Sequence, residues 1–143
     1  MFKKFTPFIL FLIIFSCVED TLPENCIRPV SFTITKRLEN PEFNTILTVG
    51  NVEINGGYKG ILLINAGLDR FLAYDKICPN NDCNSPMIYD KINRPNILKC
   101  SCDGSEYGLG VGIGGQPQTE GFECPALEYN AVKIGSSIRI SNF

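Results

Sequence analysis

Seven cysteines, at positions 17, 26, 78, 83, 100, 102 and 124, are the residues best equipped for chemistry in this 143-residue chain. Four of them form two tight pairs, Cys78-Pro-Asn-Asn-Asp-Cys83 and Cys100-Ser-Cys102, with Cys26 and Cys124 lying outside. Thiols spaced in this way can cross-link loops, hold a metal or exchange disulfides. Adjacent Cys-x-Cys residues rarely bond to each other, because the ring they would close is strained. The two pairs are therefore expected to face one another across two loops. If Cys17 is set apart, six cysteines allow fifteen connectivities, and spacing does not choose among them. The chain has no histidine. No Ser-His-Asp or Cys-His nucleophile system can be built, and no HExxH zinc site. Any metal site must use cysteine, carboxylate, amide or backbone ligands.

Cys17 stands apart because of what precedes it. Lys3 and Lys4 form a basic start, and Phe8 to Phe15 form an apolar run of eight residues. That run is too short to span a bilayer, which takes about 20 residues. Ile14-Phe-Ser-Cys17 follows at once. This resembles a bacterial lipobox, with Cys17 as the lipidated residue. The expected division is a signal peptide over 1–16, a lipid-anchored acidic tether over 17–25 and one domain over 26–143. The resemblance implies a bacterial cell-envelope protein held to the membrane by acyl chains, and an oxidising compartment that favours disulfides. Val18 stands where an Asp would signal inner-membrane retention, which points to the outer membrane. Loss of Lys3 and Lys4 leaves 11 basic against 15 acidic residues, a net charge of −4. An acidic chain lacks the basic face that nucleic-acid binding needs, so no nucleic-acid partner is expected.

The elements that must position the cysteines read as strands. Ser31–Thr35 alternates apolar and polar residues; Thr45–Val49 and Val52–Ile54 are strand-like; Gly60–Ile64 is an apolar run suited to a buried strand. Asn55-Gly-Gly57 and Ala66–Asp69 are turn signals on either side of that run. Arg70–Asp75 leads into Cys78, Ile97–Lys99 enters the second cysteine pair and Ser105–Tyr107 leaves it. Glu128–Ile134 and Ser137–Ser141 flank Gly135-Ser136, which suits a two-residue type II′ hairpin. No long segment has helical periodicity. The expectation is an all-β domain of short antiparallel strands, with loops over about 78–126. The Gly-rich stretch Gly108–Gly115 lacks the Gly-Lys-Ser/Thr ending of a phosphate loop and reads as a mobile surface loop. Asn80 and Asn81 read as turn formers, Asp103 as a turn cap, and Tyr74, Tyr107 and Tyr129 as packing residues with bonded hydroxyls.

The two cysteine loops resemble the Rieske [2Fe–2S] family, in the version found in cytochrome bc-type complexes. The family's boxes are Cys-Thr-His-Leu-Gly-Cys and Cys-Pro-Cys-His-Gly-Ser. Here they stand as Cys78-Pro-Asn-Asn-Asp-Cys83 and Cys100-Ser-Cys-Asp-Gly-Ser105. Arg70–Pro79 is similar to the strand entering the first box, Tyr107 holds the aromatic position after Gly-Ser, and Pro125-Ala-Leu-Glu-Tyr129 is similar to the start of the late strands. The likeness runs from about Thr45 to Ser141. It implies a Rieske-like fold, a β-sandwich base carrying a small two-loop cluster-type subdomain.

The family holds its cluster with the first Cys and the His of each box. The corresponding positions here are Cys78, Asn80, Cys100 and Asp103. Two imidazoles give such a centre its raised potential, and neither is present. The resemblance therefore implies a degenerate site, with no cofactor and no metal expected. It pairs the second cysteines of the boxes, Cys83 with Cys102, and leaves Cys78 facing Cys100, which in an oxidising compartment form a second disulfide. With those four assigned on the resemblance, Cys26 and Cys124 match no family position and are expected to pair with each other. Two other states remain open to the box cysteines: an atypical [2Fe–2S] cluster held by Cys78 and Cys100 with Asp103 or an extra Cys, and a zinc site of Cys78, Cys83, Cys100 and Cys102. Three functions compete: a non-catalytic envelope binding or scaffold module with an unknown protein partner, an electron-transfer protein, and thiol–disulfide exchange at Cys78–Cys100. No residues support hydrolase or transferase chemistry, and no catalytic residue is assigned.

Overall fold

The computed structural model describes residues 22–142. Cys17 and the leader before it lie outside the described residues. The described residues are all-β, with nine strands and one 3₁₀ turn among them. The strands are β1 (Thr33–Arg37), β2 (Gly50–Ile54), β3 (Ile61–Gly67), β4 (Arg70–Asp75), β5 (Ile88–Tyr89), β6 (Ile97–Lys99), β7 (Glu106–Gly108), β8 (Glu128–Ile134) and β9 (Ser137–Ser141). Six of them form one antiparallel sheet in the order β1-β9-β8-β4-β3-β2, and β5-β6-β7 form a second. No helix among the described residues is long and apolar enough to cross a membrane.

β3 explains the apolar run in the sequence. Ile61 and Leu63 enter one core with Phe43, Ile46, Ala73, Tyr129, Ile138 and Ile140. Leu62 points the other way, into a second core with Tyr74, Met87, Leu98, Tyr107 and the box cysteines Cys78, Cys83 and Cys100. A strand covered on both faces loses the apolar–polar alternation of a half-exposed one. Each fully buried aliphatic side chain there contributes about 1.5–3 kcal/mol. The small sheet thus lies on the outer face of β3 and β4, and its residues build the wall around the cysteines.

β8 bends the large sheet. Its first two residues, Glu128 and Tyr129, pair with Tyr74 and Ala73 of β4. Among the described residues, it pairs from Asn130 onward with β9 alone. The handover splays β8 from the start of β4 and opens a groove of about 600 Å³, lined by Phe71, Leu72, Val111, Ala131 and Val132. The β8–β9 hairpin turns on Gly135-Ser136, with Gly135 at φ 60°. The β3–β4 hairpin turns on Leu68 and Asp69, both with positive φ (52° and 56°), although neither is glycine.

Two expectations need correction. Thr45–Val49 is not a strand. A 3₁₀ turn runs Pro41–Ile46, and Leu47 and Val49 are exposed. Proline presets φ for the first turn. Phe43 and Ile46 stand three residues apart, so they eclipse on one 3₁₀ face, and both are buried. The first strand also lies further along than expected, at Thr33–Arg37 rather than Ser31–Thr35. Its register is set by pairing with β9 from Thr33↔Ser141 to Arg37↔Ser137, while the backbone N–H of Phe32 donates to Asn142 Oδ1 at 3.0 Å.

Candidate functional site

β4 delivers the first cysteine loop. After Asp75 the chain turns outward, and the loop closes on itself through a bridge between Ile77 and Pro86 and a 2.6 Å bond from the Met87 N–H to the Lys76 carbonyl. The second loop is the tight turn between β6 and β7. The Cys100 N–H donates to the Ser105 carbonyl at 2.8 Å, and Gly104, at φ 76°, returns a bond to the Cys100 carbonyl. Asn81 supplies a left-handed residue in the first loop, a conformation that asparagine tolerates.

The two loops meet through two disulfides. Cys78 bonds Cys100 and Cys83 bonds Cys102, with Cα separations of 5.5 and 5.8 Å. Cys78 and Cys100 have no solvent exposure, Cys83 is buried, and Cys102 is exposed. The Sγ atoms of Cys78, Cys83 and Cys100 all lie within 4.8 Å of one another. A third disulfide, Cys26–Cys124, ties the N-terminal segment to the loop before β8, and the Ile27 N–H donates to the Pro79 carbonyl at 2.8 Å. The start of the described chain is therefore fastened beside the first cysteine loop.

Asn80 and Asp103 are also brought together, each engaged with protein groups. Asn80 Nδ2 donates to the Tyr107 hydroxyl at 2.9 Å and to Asp103 Oδ2 at 3.4 Å. Asp103 Oδ1 accepts from both the backbone N–H and the hydroxyl of Ser105, at 2.7 and 2.6 Å. The Ser105 and Tyr107 hydroxyls lie 2.8 Å apart. Partial burial pushes the Asp103 carboxyl upward, but its bonds from Ser105 and Asn80 outweigh that and hold it below the usual carboxylate range. Burial raises the Tyr107 hydroxyl above its ordinary value. Burial and the neighbouring Glu128 carboxylate push Tyr74 up to about 12.

No protein-family model matches the sequence, and neither a curated protein nor a solved structure matches it.

The residues at the four cluster-equivalent positions do not fit a Rieske centre. The two cysteines are bonded to each other, so neither offers a thiolate. The other two positions hold an amide and a carboxylate that are already hydrogen-bonded within the protein. Zinc on the four box cysteines would likewise require both disulfides to be reduced first.

One residue of the site escaped the sequence reading. Asp75, fully buried at the end of β4, accepts four hydrogen bonds. Its Oδ2 takes the Tyr58 N–H at 2.6 Å and the Tyr129 hydroxyl at 2.8 Å. Its Oδ1 takes the N–H groups of Ile77 and Lys59, at 2.8 and 3.2 Å. Burial and the Asp75 carboxylate drive the Tyr129 hydroxyl far above its ordinary value. The signal was present in Asn55-Gly-Gly57. Gly57 has φ 60°, and a Cβ there would collide with the Asp75 carboxylate and the Tyr129 hydroxyl. The node fixes the direction in which β4 hands the chain to Cys78.

The Gly-rich stretch is anchored at both ends. Gly108 donates to the Gln116 carbonyl and Ala126 to the Gly115 carbonyl, while Leu109 is buried beside the box cysteines. Its apex carries Val111 and Ile113, which are exposed.

Proposed function

We propose that this chain is a Rieske-like envelope lipoprotein whose cluster site is vestigial and closed by disulfides, and that it serves as a non-catalytic binding or scaffold module. One observation carries the reading: all four positions that would ligate a [2Fe–2S] cluster are spent within the protein. Cys78 bonds Cys100, Asn80 bonds Tyr107, and Asp103 caps Ser105. The lipobox-like Ile14–Cys17 supports attachment to a membrane, with the domain outside the cytoplasm and the outer membrane as its site. The buried, cross-linked box supports a rigid module rather than an open reactive cleft.

The test is anaerobic reconstitution. Residues 18–143, purified under reductant, are mixed with ferrous iron and sulfide, then examined by visible absorbance, EPR of the reduced sample and native mass. The expected result is a colourless protein whose oxidised mass is six hydrogens light, with no metal. Two irons and two sulfides in the native mass, with an EPR signal, would overturn the reading in favour of an electron carrier.

A further inference from the structure

The sulfurs of the two box disulfides are arranged unequally. Cys78–Cys100 is wholly buried. Cys83–Cys102 has one buried sulfur-bearing residue and one exposed one. Cys83 Sγ lies within 4.8 Å of both Cys78 Sγ and Cys100 Sγ. An external thiol can reach Cys102, whereas the Cys78–Cys100 bond is screened from direct attack. Thiol–disulfide exchange needs a thiolate next to a disulfide sulfur, and its rate depends on access and on which sulfur leaves.

We infer that the four box cysteines form a two-step disulfide relay in which Cys83 carries exchange from the surface bond to the buried one. The co-reactant is an external dithiol. Its first thiolate attacks Cys102 Sγ, forms a mixed disulfide there and expels Cys83 as a thiolate. Cys83 then attacks Cys100 Sγ, forming Cys83–Cys100 and releasing Cys78 as a thiolate. The second thiol of the reagent resolves the mixed disulfide, frees Cys102 and leaves as its own disulfide. Two electrons pass from the dithiol to the protein, and its two protons end on Cys78 and Cys102. The choice of Cys100 as the attacked sulfur follows from charge. Carboxylate oxygens of Asp82 and Asp103 lie within 4.8 Å of Cys100 Sγ. They disfavour a further negative charge at Cys100, so Cys78 is the better leaving group.

The relay rests on the disulfide-closed site and not on its likeness to a cluster domain. The test is partial reduction of the folded, oxidised protein with limiting dithiothreitol, alkylation of free thiols and peptide mass mapping. The expected two-thiol species is alkylated at Cys78 and Cys102, contains a Cys83–Cys100 link and keeps Cys26–Cys124 intact. Alkylation at Cys83 and Cys102 would show that exchange stops at the surface bond and would overturn the relay. So would alkylation at Cys78 and Cys100 with Cys83–Cys102 retained. A second measurement uses C83S/C102S, in which reduction of Cys78–Cys100 in the folded state is expected to slow by roughly tenfold or more. An unchanged rate would overturn the proposal. The mapping needs no variant, so it decides the matter even if C83S/C102S does not fold. Failure of the relay leaves the closed-site reading standing, because that reading is tested separately by iron–sulfide reconstitution.

Discussion

The Asp75 carboxylate and the Tyr129 hydroxyl meet 2.8 Å apart, both buried, where the end of β4 lies beside the start of β8. Three backbone N–H groups complete the carboxylate's shell, and among the described residues no basic side chain bonds it. A buried carboxyl group held by such donors depends on each of them.

Asp75→Asn is therefore expected to cost about 2–4 kcal/mol, because an amide offers one acceptor oxygen and turns its NH₂ toward existing donors. Tyr129→Phe removes one donor and is expected to cost about 1 kcal/mol. Urea unfolding of the two variants, compared at constant m-value, checks both the order and the sizes. Equal effects would mean that the carboxylate is not the centre of the node.

Removing the long-range staple should be the costliest cysteine change. Cys26 and Cys124 are 98 residues apart in sequence, against 22 and 19 for the two box disulfides. Chain entropy favours cross-links that close long loops. Replacing Cys26 and Cys124 together by serine is expected to destabilise the oxidised protein by about 2–5 kcal/mol. Calorimetry or denaturant unfolding without reductant reads the loss.

The β3–β4 turn runs against residue preference. Leu68 sits at φ 52° with 90% of its surface exposed. A type I′ turn favours Asn or Gly at such positions, and a left-handed residue with a Cβ costs about 1–2 kcal/mol. Leu68→Gly is expected to raise stability by about 1 kcal/mol. Thermal unfolding should show a higher midpoint, and a lower one would place a role for the leucine elsewhere.

Asp103 makes stability depend on pH in a defined direction. Its folded carboxyl is held below the ordinary value, so the anion is favoured in the native state. That contribution is present above the unfolded value of about 4 and fades as pH falls through the lower folded value. Asp103→Asn is expected to be less stable than the parent at pH 7, with the gap closing below about pH 4. Urea midpoints across pH 2.5–7 test the convergence.

The late hairpin was legible because alternation, a Gly-Ser turn and strand length agreed, and β8 and β9 span Glu128–Ile134 and Ser137–Ser141 as the pattern indicates. Ile61 to Ile64 was legible as a strand because only burial on both faces tolerates such a run. Thr45–Val49 misled because β-branched residues suit strands in general, while Pro41 and the Phe43–Ile46 spacing decide locally. β5 has two residues, too few to show a period. At the site, the cysteine spacing identified two facing loops but left the partners open. Asp75 was legible only as the last residue of a strand, because its side-chain donor and two of its backbone donors come from 16 to 54 residues away.

The Cys26–Cys124 bond also defines a load path. Tension entering from the N-terminal side reaches Cys26 before it reaches β1. It passes through a covalent bond into the segment just ahead of β8, the strand that joins both halves of the large sheet. The ladder between β1 and β9 is left unloaded, so a pull on that end strains the centre of the fold and does not peel the edge strand away.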